Sequence, residues 1–135
     1  MNRTLVSSGS DFEAAVGYSR AVRVGPHVWV AGTTGSGPAG DIATQTREAL
    51  RRIEIALAQV GAALTDVVRT RVYVTDVSRW GEVAAVHAEV FGDIRPAATM
   101  VQVSALIAPE MLVEIEADAY AESPTGGKVP SGPGR

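Results

Sequence analysis

The sequence contains no cysteine. Disulfides, thiol nucleophiles and thiolate metal sites are therefore excluded, and the redox compartment leaves no mark on the chain. Histidine is nearly as scarce. His27 and His87 lie far apart, with no ligand spacing around either, so no dedicated metal site is expected. Aromatic residues make up 5% of the chain, and any core must be built mainly from Val, Ala, Ile and Leu. No apolar run approaches the roughly 20 residues that cross a bilayer, and the N-terminus lacks an apolar signal core. The cytoplasm is the expected location, with no membrane partner. A net charge of −3 gives no general attraction to nucleic acid. The basic residues do not alternate with aromatics as a base-stacking platform would require.

What is present suits one small domain. The chain has 135 residues, 46% hydrophobic and 20% charged, which is enough for a single core. From Glu122 the sequence reads ESPTGGKVPSGPGR, a composition that cannot bury enough apolar surface to offset its ordering entropy. Residues 1–121 are read as the domain and 122–135 as a flexible tail.

Periodicity assigns the elements. Residues 3–7 suit a short strand. Residues 18–25 and 27–33 alternate around Gly25-Pro26 and predict a hairpin. The Gly-rich stretch 33–40 breaks the pattern and is read as a mobile loop over a cleft. It lacks the lysine and Ser/Thr of a phosphate loop. Residues 41–61 predict a helix, with Asp41 as N-cap and Gly61 as the stop. Ile42, Ala49, Leu50, Ile53, Ala56, Leu57 and Val60 form its apolar face, and Arg47, Glu48, Arg51, Arg52 and Glu54 a solvated one. Residues 67–76 alternate strongly. Residues 79–91 predict a second helix, with Trp80, Val83, Ala84, His87, Val90 and Phe91 on one face. Residues 97–106 and 112–121 are two further strands. The expected fold is α+β, a mainly antiparallel sheet with two helices on one face.

The other sheet face is charged. In the strand at 67–76, Val68, Thr70, Val72 and Val74 form the apolar set, with Arg69, Arg71 and Tyr73 as alternates. In the last strand, Val113, Ile115, Ala117 and Ala119 alternate with Glu114, Glu116, Asp118 and Tyr120. Two readings fit. The face is either water-exposed and laced with weak ion pairs, or it packs against copies of itself in a symmetric oligomer.

The stretches GYSRAVRVG (17–25), VAGTTG (30–35), TQTREALRRIEIALAQVGAALTDVVRTRVYVTD (44–76), FGDIRPAATMVQV (91–103) and VEIEADA (113–119) together resemble the Rid (YjgF/YER057c/UK114) family. The resemblance implies a chorismate-mutase-like fold and a homotrimer with clefts between subunits. It also implies cofactor-free hydrolysis of small reactive enamines or imines, a deaminase activity. Tyr18 matches the family's pocket tyrosine, Gly32 a backbone pocket position, and Glu114 the glutamate that positions the attacking water. The arginine that grips the substrate carboxylate is replaced by Ala98. Ala31 and Ala84 stand where a pocket serine and asparagine are expected. Arg95 lies three positions before Ala98.

Read on their own chemistry, Glu114 is a candidate general base whose structural alternative is pairing with Arg69 or Arg71. His87 is either a core histidine or a second acid–base group. Arg20, Arg69 and Arg71 could each supply positive charge to an anionic ligand, and Arg20 shares a sheet face with Tyr18. His27, after the turn, is expected in solvent. The sequence supports a Rid-like hydrolase with Glu114 and His87 catalytic and Tyr18, Arg20, Gly32 and Arg71 binding substrate, without cofactor. The loss of the arginine keeps open a non-catalytic module for a metabolite or protein. The enlarged, dehydrated pocket left by Ala31, Ala84 and Ala98 keeps open a cyclisation or rearrangement enzyme.

Overall fold

The alternating segments form one six-stranded sheet in a computed structural model that describes residues 2–122. The stretch read as a flexible tail lies, beyond Glu122, outside the described residues. The strands are β1 (Arg3–Val6), β2 (Ala21–Val24), β3 (His27–Thr33), β4 (Val67–Val74), β5 (Ala97–Gln102) and β6 (Val113–Tyr120), in the order β1-β2-β3-β6-β4-β5. Every pairing is antiparallel except β4 with β5. Three α-helices accompany them: α1 (Asp11–Val16), α2 (Ile42–Ala58) and α3 (Trp80–Phe91).

The two long helices follow their caps and stripes. Asp41 accepts from the Thr44 N–H and hydroxyl at 3.0 and 2.8 Å, an N-cap contributing about 1 kcal/mol. The whole expected apolar face of α2 is buried. Gly61 adopts φ 75° just past the helix, where a side chain would be strained. Buried Gln45 ties α2 to the segment leading into β6, accepting from Leu112 N–H at 2.9 Å and donating to the Glu110 carbonyl at 3.0 Å. On α3, Val83, Val86 and Phe91 carry the burial. Trp80, expected on that face, is exposed, because it opens the helix ahead of the turns that pack on the sheet.

Two further sequence expectations are corrected. Val68 is 52% exposed, and its neighbour Val67 is buried instead. A register irregularity between Val67 and Arg69 explains this: Val67 pairs with Ala119 and Arg69 with Asp118, so one extra β4 residue is accommodated and the alternation slips there. The third helix, α1, was not expected. Ser10 caps it by accepting from Phe12 N–H, and Gly17 closes it at φ 88°. Glu13, buried on this helix, receives the Ser7 hydroxyl at 3.0 Å, the Ser8 N–H at 3.1 Å and the Ser8 hydroxyl. These bonds hold its carboxylate below the usual range, the Ser8 hydroxyl most of all.

A buried arginine binds the sheet to α2. Arg23 is only 7% exposed and has no carboxylate partner among the described residues. Its guanidinium instead donates to the carbonyls of Gly25, Val60 and Ala121 at 2.8, 2.7 and 2.9 Å. The Val60 carbonyl lies just beyond the C-terminus of α2, where the helix dipole favours a cation.

A desolvated glutamate and two cavities

Cross-strand register places the charged residues. On the face away from α2 and α3, Asp118, Glu116 and Glu114 of β6 stand opposite Arg69, Arg71 and Tyr73 of β4. Arg71 reaches Asp118 at 3.2 Å and Glu116 at 3.4 Å. Glu114 pairs with neither Arg69 nor Arg71, so the structural alternative considered for it is not realised. Burial pushes the Tyr73 hydroxyl up, and Glu116 adds to the effect, so Tyr73 stays protonated at neutral pH.

Glu114 points instead to a cavity of about 990 Å³ shared with Tyr18, Arg20, Ala31, Gly32 and Thr34. Burial raises its carboxyl above the ordinary range, Glu116 pushes the same way, and Arg20 opposes them. Gly32 makes room for it. A Cβ on Gly32 would lie 3.0 Å from Cδ of Glu114 and closer still to Oε2. Opposite, Arg20 donates to the Gly32 carbonyl at 2.6 Å, and its guanidinium carbon lies 5.8 Å from the Tyr18 ring centroid. Four of the six expected site residues, Glu114, Tyr18, Arg20 and Gly32, therefore meet in one cavity.

The other two lie elsewhere. Arg71 is engaged on the outer sheet face and lines neither this cavity nor the second one. His87 lines a separate cavity of about 470 Å³ between α3 and β5, with Ala84, Arg95, Ala98, Thr99 and Met100. Its Nε2 is 2.9 Å from the Thr70 hydroxyl, and its ring packs on Phe91 at 4.7 Å. Burial lowers its pKa, so the ring stays neutral at neutral pH. Within one chain His87 and Glu114 do not form an acid–base pair. Arg95 is exposed and has φ 61°, the one positive φ outside glycine among the described residues. His27 is exposed as expected, stacked on Trp29 and edge-on to Tyr120.

Several lining residues carry no sequence signal. Phe12, Val16, Ile107 and Met111 give the Glu114 cavity an apolar wall, and Arg52 reaches it from α2. They come from segments distant in sequence, and only the tertiary fold gathers them. Arg52 departs from the solvated face expected of it, donating to the Thr34 carbonyl at 2.8 Å and to Ser36 at 3.2 Å. The Gly-rich loop, read as a mobile cover, is laid against α2. A Cβ on Gly35 would meet Ala49 N at 2.8 Å, and one on Gly37 would meet Thr44 Cγ2 at 2.9 Å. These two glycines serve close packing.

Among the described residues no group of His, Asp and Glu could hold a metal ion, and no helix is long and apolar enough to cross a membrane.

Comparison with known proteins agrees with this architecture. The family model described as Endoribonuclease L-PSP matches residues 8–121. A RutC family protein of Pyrococcus abyssi is 39% identical over 111 residues, which span 78% of this chain and 87% of that protein. The 2-iminobutanoate/2-iminopropanoate deaminase of Rattus norvegicus is 34% identical over 121 residues, 84% of this chain and 88% of that one. A Mycobacterium tuberculosis protein of known crystal structure, described as a member of the highly conserved YjgF/YER057c/UK114 family, is 73% identical. It superimposes with a TM-score of 0.86, covering 89% of this chain and all of that one. By sequence and by fold, this chain belongs to the Rid (YjgF/YER057c/UK114) family.

Proposed function

We propose that the chain is a cofactor-independent deaminase that hydrolyses a small enamine or imine at Glu114. The observation that carries this reading is a half-buried carboxylate in a cavity, raised by desolvation and fitted into the space left by Gly32. Some relatives are named as deaminases. A carboxylate with an upshifted pKa is a better proton acceptor than an ordinary one.

The chemistry balances without a redox partner. Glu114 takes a proton from water as the water oxygen bonds to the C=N carbon, and passes it to the nitrogen to give a carbinolamine. It then takes the carbinolamine hydroxyl proton and delivers it to the nitrogen as the C–N bond breaks, leaving a carbonyl compound and ammonia with Glu114 ionised again. Tyr18 and Arg20 hold the substrate against the Gly32 side of the cavity.

In this reading the working unit is a cytoplasmic homotrimer. The outer sheet face, with its Arg71 ion pairs and with Trp29, Val68 and Tyr120 exposed, packs against neighbouring copies. One subunit's His87 cavity then lies against its neighbour's Glu114 cavity, and His87 serves as the second acid–base group. Sedimentation at micromolar concentration should give a species of three chains; a monomer with full activity would remove this arrangement. The enzymatic claim is tested by ammonia release from freshly generated imines, which should fall to the uncatalysed rate in Glu114→Gln.

Ala98 favours a second reading. An alanine at the position where relatives of this resemblance grip a carboxylate suits a module that binds a small molecule without turnover. Calorimetry showing tight binding of a carbonyl compound, together with equal ammonia release with and without protein, would select it.

A further inference from the structure

Arg20 is a cation held in place with donors to spare. Its backbone begins the turn into β2. One N–H of the guanidinium goes to the Gly32 carbonyl at 2.6 Å, and Tyr18 lies beneath the group at 5.8 Å. Its Nε is buried without a partner. Among the described residues Arg20 forms no ion pair, although its charge is felt at both Glu13 and Glu114. Glu13 is committed to Ser7 and Ser8. The buried Nε is closed to a ligand, but the terminal N–H groups left over from the Gly32 bond are unspent, and on a residue lining the cavity they suit a planar anion.

The other cations near a cavity fit less well. Arg52 is spent on Thr34, Ser36 and Glu48. Arg95 lines the cavity around Ala98 and is not among the residues that share the cavity with Glu114 within the subunit. Beyond Arg20 and Glu114, much of the wall is apolar, formed by Phe12, Val16, Ile107 and Met111.

Resting on the reading of this cavity as the reaction site, we propose that Arg20 is its specificity residue and receives a carboxylate of the substrate. The substrate class is then a small imino acid. Its carboxylate lies on Arg20, its C=N carbon faces Glu114, and its side chain is apolar, turned to Phe12 and Ile107. The anion-binding role thus sits in the same cavity as the carboxylate base rather than at position 98.

The test compares 2-oxobutanoate with its uncharged analogue butanone, using ligand-detected NMR titration of the full chain. Wild type should bind 2-oxobutanoate at least about tenfold more tightly, as a charge-assisted contact provides. Arg20→Met should bring the two ligands to parity, Arg20→Lys should recover part of the preference, and Arg95→Met should match wild type. A preference absent from wild type, surviving in Arg20→Met, or lost in Arg95→Met overturns the proposal. Circular dichroism confirms that each variant is folded. If Arg20→Met does not fold, Arg20→Gln carries the comparison. Equal ammonia release by wild type and Glu114→Gln would sink the deaminase reading while leaving an Arg20-dependent preference intact, so the two failures are distinguishable.

Discussion

Gly32 and Glu114 face one another so closely that no side chain fits between them. The atoms a Cβ would strike are the far end of a flexible side chain, which can swing away at little cost. Gly32→Ala should therefore fold with a melting temperature close to wild type while displacing the carboxylate. A displacement of this order costs roughly a hundredfold in rate. Ammonia-release kinetics beside a thermal melt check both halves; unchanged kinetics would detach Glu114's position from the activity.

Glu114 also sets an expected pH profile. Burial, aided by Glu116, raises its pKa above the ordinary 4.5, and a general base works only when ionised. The acidic limb of kcat/KM should lie above the ordinary glutamate range and disappear in Glu114→Gln. The stability sign follows from the same shift. Because the folded state holds this proton more tightly than the unfolded state, the contribution is full below the unfolded pKa. It is lost as pH rises through the raised folded pKa. Wild type should thus lose stability relative to Glu114→Gln with rising pH across that window, in urea titrations at a series of pH values.

His87 has the opposite sign. Burial lowers its pKa from 6.5, so the unfolded chain takes up the proton first. Its share of stability is present above 6.5 and is lost as pH falls through the lowered value. Melting curves between neutral and mildly acidic pH should show a steeper decline for wild type than for His87→Phe. Parallel declines would mean that another group governs the acid sensitivity.

Arg23 provides a stability test away from both cavities. Removing it leaves the carbonyls of Val60 and Ala121 unpaired in a buried setting. Arg23→Ala should cost about 2–4 kcal/mol. Arg23→Lys should recover only part, because an ammonium cannot span three carbonyls in different directions. Urea unfolding reads both.

These residues show what the sequence discloses and what it withholds. The alternation of β6, the α2 stripe and the Asp41 cap are local patterns with one physical solution, and they are legible. Likeness to a family singles out Tyr18, Gly32 and Glu114, and the two-residue spacing from Tyr18 singles out Arg20; the fold places all four along one cavity. Val68 was misplaced because an extra residue in a strand leaves no mark in composition. Helix α1 spans too few residues to show a period; the Ser10-x-x-Glu13 spacing and Gly17 were its available signals. The burial of Arg23 carries no sequence signal, since two of the carbonyls that accept from it belong to residues distant in the chain. Arg71 carries a charge suited to a ligand, and only register revealed that Glu116 and Asp118 occupy it.

Among the described residues the last strand in chain order is an interior one. β6 lies between β3 and β4, and until it emerges from the ribosome the chain holds two sheet fragments, β1-β2-β3 and β4-β5, with no strand pairing between them. Closure must await residues 113–120, and it joins partners far apart in sequence, which slows folding. A premature stop before residue 113 would remove the seam of the molecule rather than trim its border, and Glu114 with it.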